Sequence, residues 1–285
     1  MALLTIVPPT SEPITLAQMK LFARVDFPDD DTLWPTLMAS AREWCEVYCQ
    51  RRFMLRTMRL LMDFFPGYVD FKLAGQKVSS PFVSGSNAVL VGIRYAIALP
   101  YPRVRGVVQF LYQDENGDPQ TLIPGGTYIL DIESQPARLM PLFGEMWPVA
   151  RVVANAVQVD YLTGYGGNIT IGVTASSAAI TGYVFNSSMV GLSLTVPGAG
   201  NSEGTAALVT AISAVDDSGN GTMANNAVFT VAGAYAYLGE PIPDLVQIAV
   251  MRLSNYYYEN RTSSPDKNFL DSVKQQLAPY RDLRL

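Results

Sequence analysis

The sequence offers few residue types with which an enzyme could work. Its 285 residues include no histidine, which excludes Ser-His-Asp and Cys-His catalysis, histidine proton shuttles and histidine-ligated metals. Its two cysteines, Cys45 and Cys49, lie four residues apart, where a redox or metal pair would need a two-residue spacing or further ligands. They are interpreted as small buried hydrophobic residues. We predict no catalytic residue, no metal ligand and no cofactor.

Two acidic clusters have the residue types of a cation site or an acid–base pair. Asp29-Asp30-Asp31 stands where a helix cap is expected, and Asp114, Glu115 and Asp118 surround a predicted hairpin turn. Neither cluster has the spacing of an EF-hand. Both are interpreted as turn residues, and the aspartate triplet as the cap of a helix.

Four arginines form a basic stretch between a predicted helix and a predicted strand: Arg51, Arg52, Arg56 and Arg59. Guanidinium groups bind phosphate well, so DNA contact is one reading. The favoured reading is charge at a helix C-terminus together with surface ion pairs. Contact with an acidic neighbouring protein comes second and DNA third. The net charge of −5 agrees with this order, because nucleic-acid binders are usually basic.

Three consecutive tyrosines end a predicted helix, followed by Arg261. Consecutive positions span about 200° of a helix, so the three rings cannot all face one core. Tyrosine is favoured at interfaces, and Arg261 offers a planar fork to a carboxylate of a neighbouring subunit. The alternative is that the tyrosines complete the core of their own chain. The candidate interface residues are Arg51, Arg52, Tyr256, Tyr257, Tyr258, Arg261, Tyr280, Arg281 and Arg284.

Helical signals occur near both ends of the chain. Thr15 and Gln18 form a capping box for a first helix, which Asp26-Phe-Pro28 is expected to end. A second helix is predicted from about Thr32 to Gln50. Further helices are predicted from Asp244 to about Asn260 and over 267–277. Leu245, Ile248, Ala249 and Leu253 are expected to pack on the second helix around Leu37, Ala41 and Trp44.

The middle of the chain alternates with a period of two and predicts a small antiparallel sheet system. Asn116-Gly117 is a strong hairpin signal, and 64–86 is predicted to be loop. The predicted strands are Met54 to Asp63, Ala88 to Leu99, Gly106 to Gln113, Gln120 to Ile123, Tyr128 to Ile132, Ala137 to Met140 and Asn155 to Leu162.

The composition changes abruptly over 168–239, which has no Lys or Arg and only three acidic residues. β-branched and aromatic residues recur there between turn clusters, which favours an inserted sandwich or barrel over a disordered linker. The predicted domains are therefore 1–167 and 240–285, which together form a host domain, and an inserted β module over 168–239. Its predicted strands are Ile169 to Thr174, Ala179 to Val184, Leu192 to Val196, Ala207 to Val215 and Val228 to Tyr237.

The order of these pieces resembles the head–tail connector (adaptor) proteins of long-tailed double-stranded-DNA bacteriophages. The resemblance covers roughly 12–166 and 240–285, and the β module is a departure from it. It rests on the order and spacing of segments, none of which is specific alone: Ile14–Asp26, Asp29–Asp31, Ala39–Trp44, Leu99–Val108, Ser134–Leu139, Val157–Gly166, Ile242–Leu253 and Tyr257–Arg261.

The resemblance implies an α+β protein whose helical connector core comprises two N-terminal and two C-terminal helices beside a small antiparallel sheet system. It implies a ring of identical subunits, usually twelve, beneath the portal of the filled head. The ring would prolong the DNA channel and contact the next neck or tail protein. Such a protein would act in the virion after synthesis in the bacterial cytoplasm. An acidic protein would let double-stranded DNA slide through without sequence-specific binding.

Two other functions are weighed. The β module could make this a decorating or glycan-binding virion protein, with Tyr183, Phe185, Tyr235 and Tyr237 as a sugar platform, although core packing is the favoured role of these rings. A glycosidase has little support, because the sequence pairs no carboxylates in a pocket. No membrane span and no signal peptide are predicted, so the chain is expected to be soluble and not secreted.

Overall fold

The computed structural model describes residues 1–66, 95–261 and 265–282. The chain divides into two compact units. The first unit comprises Met1–Ile6 with Thr57–Leu162, and the second comprises Val7–Arg56 with Thr163–Leu285. Helices and antiparallel sheets occur in separate stretches of the sequence, which confirms the predicted α+β class.

The first unit is built on two sheets. A five-stranded sheet has the order β1-β2-β8-β4-β5, and a three-stranded sheet has the order β3-β7-β6. The strands are β1 (Ala2–Val7), β2 (Arg56–Met62), β3 (Ile97–Leu99), β4 (Val104–Gln113), β5 (Pro119–Thr121), β6 (Tyr128–Asp131), β7 (Ala137–Pro141) and β8 (Val157–Thr163). Strand β1 was not predicted. Most of the predicted loop over 64–86 and most of the predicted strand from Ala88 to Leu99 lie outside the described residues.

An aromatic cluster fills the core of the first unit. The Phe65 and Trp147 rings stack with their centroids 5.3 Å apart, and Phe110 lies 5.6 Å from Trp147. The buried indole N–H of Trp147 donates to the Tyr95 carbonyl at 2.6 Å, which satisfies its one polar group. Strands β4 and β5 pair antiparallel through the predicted turn, in which Gly117 has a φ of +94°.

The second unit contains four helices within the described residues: α1 (Leu16–Ala23), α2 (Trp34–Cys49), α3 (Asp244–Glu259) and α4 (Lys267–Leu277). The predicted capping box is present, since the Thr15 hydroxyl accepts from the Gln18 backbone N–H and the Gln18 side chain accepts from the Thr15 N–H. The predicted end of α1 is wrong. The helix ends before Arg24, whose left-handed backbone (φ 55°) reverses the chain ahead of Pro28.

The aspartate triplet does not cap α2. The cap residue is Leu33, with no side-chain hydrogen bond, and Pro35 lies in the first turn as expected. Asp30 and Asp31 instead accept from residues distant in sequence, as described below. The capping prediction is therefore wrong, because these carboxylates find stronger charged partners than a backbone N–H.

Helix α3 packs on α2 as predicted, through a face that overlaps the predicted one only in part. Ala249 and Leu253 are buried as expected, whereas Leu245 and Ile248 are 45% and 40% exposed. The buried stripe is completed by Val246 and Val250. Apolar residues occur all around this helix, so periodicity does not select one face. Cys45 and Cys49 are free and fully buried in this helical core, which confirms their interpretation.

The predicted β module forms a nearly closed barrel. Its strands lie in the order β10-β9-β14-β11-β12-β13, and Ala179 bridges Thr222 beside the two outer strands. The apolar side chains of successive strands alternate into the interior. The strands are β9 (Gly166–Val173), β10 (Ile180–Thr181), β11 (Ser193–Val196), β12 (Leu208–Val215), β13 (Gly221–Met223) and β14 (Val231–Gly239).

Strands β9 and β14 bring the two ends of the module together. Gly167 lies opposite Leu238, and Gly166 lies opposite Gly239, on one antiparallel ladder. The expected proximity of the ends is therefore confirmed. Strand β13 was not predicted, because three residues within a Gly-rich run carry too little periodicity. Strand β10 is shorter than the predicted Ala179 to Val184.

Candidate functional site

A cluster of charged side chains lies buried where α2 leads into β2. The fully buried Glu46 carboxylate accepts from Arg56 at 2.7 and 2.9 Å and from the Phe53 backbone N–H at 3.0 Å. Arg42 and Arg52 donate to the same carboxylate at 3.2 and 3.3 Å. One acidic group therefore orders three arginines. We call these residues, with Glu12, the Glu46 cluster.

Glu12 extends the Glu46 cluster towards the surface. Its two carboxylate oxygens accept from Arg42 at 2.7 and 3.3 Å. Burial raises the pKa of Glu12, although the Arg42 guanidinium opposes this shift. Burial also lowers the pKa of Arg56, against the attraction of Glu46. These arginines face carboxylates of their own unit, so the buried network replaces the surface ion pairs that the sequence favoured.

Arg59, the last arginine of the basic stretch, has a separate partner in the first unit. Its Nε and Nη2 atoms each donate to a carboxylate oxygen of Asp160 at 2.7 Å. Such a two-bond pair fixes the guanidinium plane relative to the carboxylate. Hydrogen bonding to Asp160 raises the pKa of Arg59. Three of the four arginines in the sequence motif, Arg52, Arg56 and Arg59, therefore bind carboxylates of their own chain rather than forming one phosphate-binding surface.

Two of the predicted interface residues, Tyr258 and Arg261, make contacts within their own chain. The Tyr258 ring stacks on the buried Trp34 ring with centroids 4.3 Å apart. The Tyr258 hydroxyl and the Arg261 Nη2 donate to one oxygen of Asp30 at 2.7 and 2.8 Å. The carboxylate expected from a neighbouring subunit for Arg261 is thus supplied by the same chain. We call Asp30, Trp34, Tyr258 and Arg261 the Asp30 cluster.

Electrostatics in the Asp30 cluster are reciprocal. The hydrogen bond from Tyr258, followed by that from Arg261, lowers the pKa of the Asp30 carboxyl. The same hydrogen bond raises the pKa of Tyr258. The Arg261 guanidinium lies 4.9 Å from the Tyr258 ring centre and remains 52% exposed. It therefore keeps surface available for a further contact.

The other two tyrosines pack within the helical region. The Tyr256 ring stacks on Phe269 of α4 with centroids 4.6 Å apart. Tyr257 is half-buried against the helical core, and burial raises its pKa. Both observations fit the alternative in which the tyrosines complete their own core.

Three further candidate interface residues, Arg51, Tyr280 and Arg281, lie near the opposite end of α2. Arg281 is exposed and lies over the Tyr48 ring at 5.3 Å, and Tyr280 packs against the helical core. The backbone N–H of Asp282 donates to the Cys49 carbonyl at 2.8 Å. Arg51 follows α2 at this end, while Arg284 lies outside the described residues. A 16-residue helix is about 24 Å long, so these residues form a second patch, separate from the Asp30 cluster.

A cleft that the sequence did not reveal lies within the second unit, with a cavity of about 270 Å³. Four separate segments build it, which is why no local motif could have shown it. The lining residues are Glu12, Pro13, Ile14, Thr15, Gln18, Asn168, Tyr237, Pro241, Ile242 and Gln247.

Two hydrogen bonds fix one wall of this cleft. The Thr10 hydroxyl donates to the Asn168 carbonyl, and the Asn168 backbone N–H donates to the Ser11 hydroxyl, each at 2.8 Å. The Tyr237 hydroxyl donates to the Glu240 carbonyl at 3.0 Å. A Cβ at Gly166 would lie 2.7 Å from the Tyr237 ring and 2.6 Å from the Leu238 carbonyl oxygen, so only glycine allows this close approach.

Core packing, the favoured role of the four aromatic residues weighed as a sugar platform, is confirmed for Phe185 and not for Tyr235. Phe185 is buried, and its ring meets Tyr183 edge-on with centroids 4.9 Å apart. Tyr235 is 77% exposed, and Tyr237 is half-buried beside the cleft. Burial of Phe185 follows from its apolar ring, which fills the barrel end next to Gly221.

Comparison with known proteins finds similarity in structure alone. No protein-family model matches the sequence, and no curated protein matches it either. Chains in three solved structures are similar over 100% of this chain and 97% of their own length. They come from the virion of a native gene transfer agent particle (TM-score 0.55, 13% identity) and from the neck of the empty particle computed with C6 symmetry (0.56, 12%). The third comes from the neck of the native particle computed with C12 symmetry (0.50, 15%).

At these identities the comparison shows a shared fold. The coverage includes the barrel as well as the helices, so the module belongs to the shared architecture. Within the described residues, no helix has the length and apolarity to cross a bilayer, and no group of three acidic or cysteine residues could hold a metal ion.

Proposed function

We propose that this chain is a structural neck protein of a phage-like virion and has no catalytic role. The main support is the similarity in fold to chains of gene transfer agent particles, which extends over nearly the whole of both chains. Two of these structures are described as necks. The order of sequence segments that resembles phage head–tail connectors supports the same assignment. In this proposal the chain occupies the head–tail junction.

In detail, twelve identical subunits form a ring between the portal and the next neck or tail protein. The C12 symmetry used for one similar neck supports this number. Double-stranded DNA passes through the lumen without sequence-specific binding. The net charge of −5 and the engagement of the Glu46 cluster support weak contact with DNA, since these arginines already bind carboxylates.

The proposed portal contact is the patch at the C-terminal end of α2, with Arg51, Tyr280 and Arg281. A deletion from Pro265 onward is a poor test of this contact, because it removes the fully buried Val273 and Leu277 and so disrupts the helical core. Loss of docking after that deletion would not show where the portal binds. Charge reversal at an exposed position is a sharper test. Arg281→Glu changes the patch, and Lys274→Glu on the exposed side of α4 is the matched control.

The experiment mixes the full chain with purified portal protein and examines the product by negative-stain imaging and native mass spectrometry. We expect a ring on the portal, at least tenfold weaker docking for Arg281→Glu, and wild-type docking for Lys274→Glu. Absence of any ring in the presence of portal would contradict the neck assignment. Rings that form equally with Arg281→Glu would contradict only the position of the contact.

A further inference from the structure

The outer face of the barrel meets the cleft at Tyr237, and the side chains beside Tyr237 on this face are uncharged. On β14, Tyr235 and Tyr237 lie two residues apart and therefore on the same face of the sheet. The strand register places Thr170 of β9 opposite Tyr235, and Asn168 opposite Tyr237. Thr195 of β11 lies opposite Tyr237 on its other side. The residues of this face are hydroxyl-, amide- and ring-bearing.

The cleft supplies polar groups that protein contacts leave unused. The Gln18 side chain accepts through its oxygen from Thr15, which leaves its amide N–H₂ without a partner among the described residues. Gln247 donates through its nitrogen to the Ile242 carbonyl, which leaves its oxygen as an acceptor. The Asn168 amide has no side-chain hydrogen bond within the described residues. The cleft is therefore lined by both hydrogen-bond donors and acceptors, and the Tyr237 ring lies beside them.

Charge decides which class of ligand suits this surface. The cleft is lined by one charged residue, Glu12, and its carboxylate is paired with Arg42. The module of 168–239 has no Lys or Arg, so it offers no cationic side chain to phosphate or sulfate. A ligand rich in neutral hydroxyl groups can instead bind the side-chain amides, while its apolar C–H face packs on an exposed tyrosine ring.

We propose that the cleft and the Tyr235 face form a binding site for a neutral oligosaccharide chain. One sugar unit occupies the cleft between Asn168, Gln18 and Gln247, and the chain continues over Tyr237 and Tyr235. The cavity of about 270 Å³ is slightly smaller than the roughly 300–1,000 Å³ of drug-sized ligand sites, which suits one ring with the remainder of the chain outside. The site lies in one subunit and does not depend on ring formation.

The test is native affinity electrophoresis of the full chain through gels containing dextran, mannan, xylan or, as an anionic probe, heparin. We expect retardation in at least one neutral gel and none with heparin. Tyr235→Ala and Asn168→Ala should each weaken retardation about tenfold, because both side chains contact ligand in the proposal and neither makes a side-chain hydrogen bond within the described residues. Val184→Ala, equally exposed at 75% on the same barrel, is the matched control and should migrate like the wild type.

Three results would overturn the proposal. The first is migration unaffected by all three neutral polysaccharides, and the second is binding that both variants retain. The third concerns a protein occupant: a chain carrying photoreactive benzoylphenylalanine at position 235 that crosslinks efficiently to a second copy would show that this face is a subunit contact. Melting temperatures of the variants within about 2 °C of wild type confirm that they are folded.

Discussion

The helical region and the barrel of the second unit are specified by opposite means. In the helical region, buried and half-buried charged groups hold the segments together. Glu46 accepts hydrogen bonds from three arginines, and Asp30, which precedes α2, accepts hydrogen bonds from Tyr258 and Arg261 at the end of α3. In the barrel, 72 residues contain three acidic groups and no cation. Its strands are held by apolar side chains facing inwards and by backbone turns at glycine. Charge pairing makes one region sensitive to single substitutions, whereas the other region spreads its stability over many small contacts.

The largest expected effect is the loss of the Glu46 charge. Glu46→Gln leaves Arg42, Arg52 and Arg56 facing a neutral amide in a buried site, and removing one partner of a buried ionic network costs about 3–5 kcal/mol. Urea denaturation followed by tryptophan fluorescence measures the change. Glu43→Gln is the control, because Glu43 is 69% exposed and lies 3.8 Å from Arg42. Equal stability of the two variants would contradict the charge-based account of the helical region.

A smaller effect is expected when the barrel is removed. Replacement of 168–239 by a short Gly/Ser linker joins two positions that are already neighbours on the β9–β14 ladder, so loop closure adds little cost. The variant loses the bonds of Asn168 to Thr10 and Ser11. We expect the helical region to melt within about 5 °C of wild type in circular dichroism, as an inserted domain would allow.

The control for that deletion carries the same linker inserted after Gly191, a turn glycine with open space around it. It keeps the barrel and tests the effect of the linker alone. If the deletion variant is insoluble while this control folds, the barrel is part of the core of the second unit, and the proposed domain boundaries at 167 and 240 fail.

The smallest expected effect concerns the Asp30 cluster and pH. Asp30 has a lowered pKa, so its contribution to stability is present above the unfolded value near 4 and is lost as the pH falls through the folded value. Tyr258 has a raised pKa, so its contribution is present below about 10 and is lost as the pH rises through its folded value. Between these limits, Asp30→Asn should lower the melting temperature by about 1–2 °C.

Below the folded pKa of Asp30 the wild type and Asp30→Asn should melt together, because both then carry a neutral group at this position. Asp29→Asn, one residue away and with no side-chain hydrogen bond to Tyr258 within the described residues, should match the wild type at every pH. A difference between wild type and Asp30→Asn that persists unchanged into strong acid would show that the carboxylate charge is not what joins α2 to α3.

Local signals in the sequence predicted local structure well. Thr15 and Gln18 are three residues apart, and Asn116-Gly117 is a two-residue turn, so the forces that form each lie within the motif itself. Asp30 shows the limit. Its position before a helix indicated a cap, but its partner Tyr258 is 228 residues away, and no local pattern contains that contact.

The same limit applies to the candidate sites. The tyrosine and arginine positions were predicted as one set of interface residues, but which end of α2 each described residue lies near depends on how α3 and α4 pack along it. The buried face of α3 was misassigned because Leu245, Val246 and Ile248 are all apolar, and packing rather than periodicity chose among them. The cleft needs four segments in place, so it exists only in the folded chain.

The burial of Cys45 and Cys49 has a practical consequence. Burial raises the pKa of both thiols, that of Cys49 to about 12, so neither forms appreciable thiolate at neutral pH. Maleimide reagents react with solvent-accessible thiolate, so we expect no labelling of the natural chain by these reagents. A single cysteine introduced at an exposed position such as 235 or 281 would then carry a fluorophore alone, which lets distances and docking be followed in the otherwise unaltered protein.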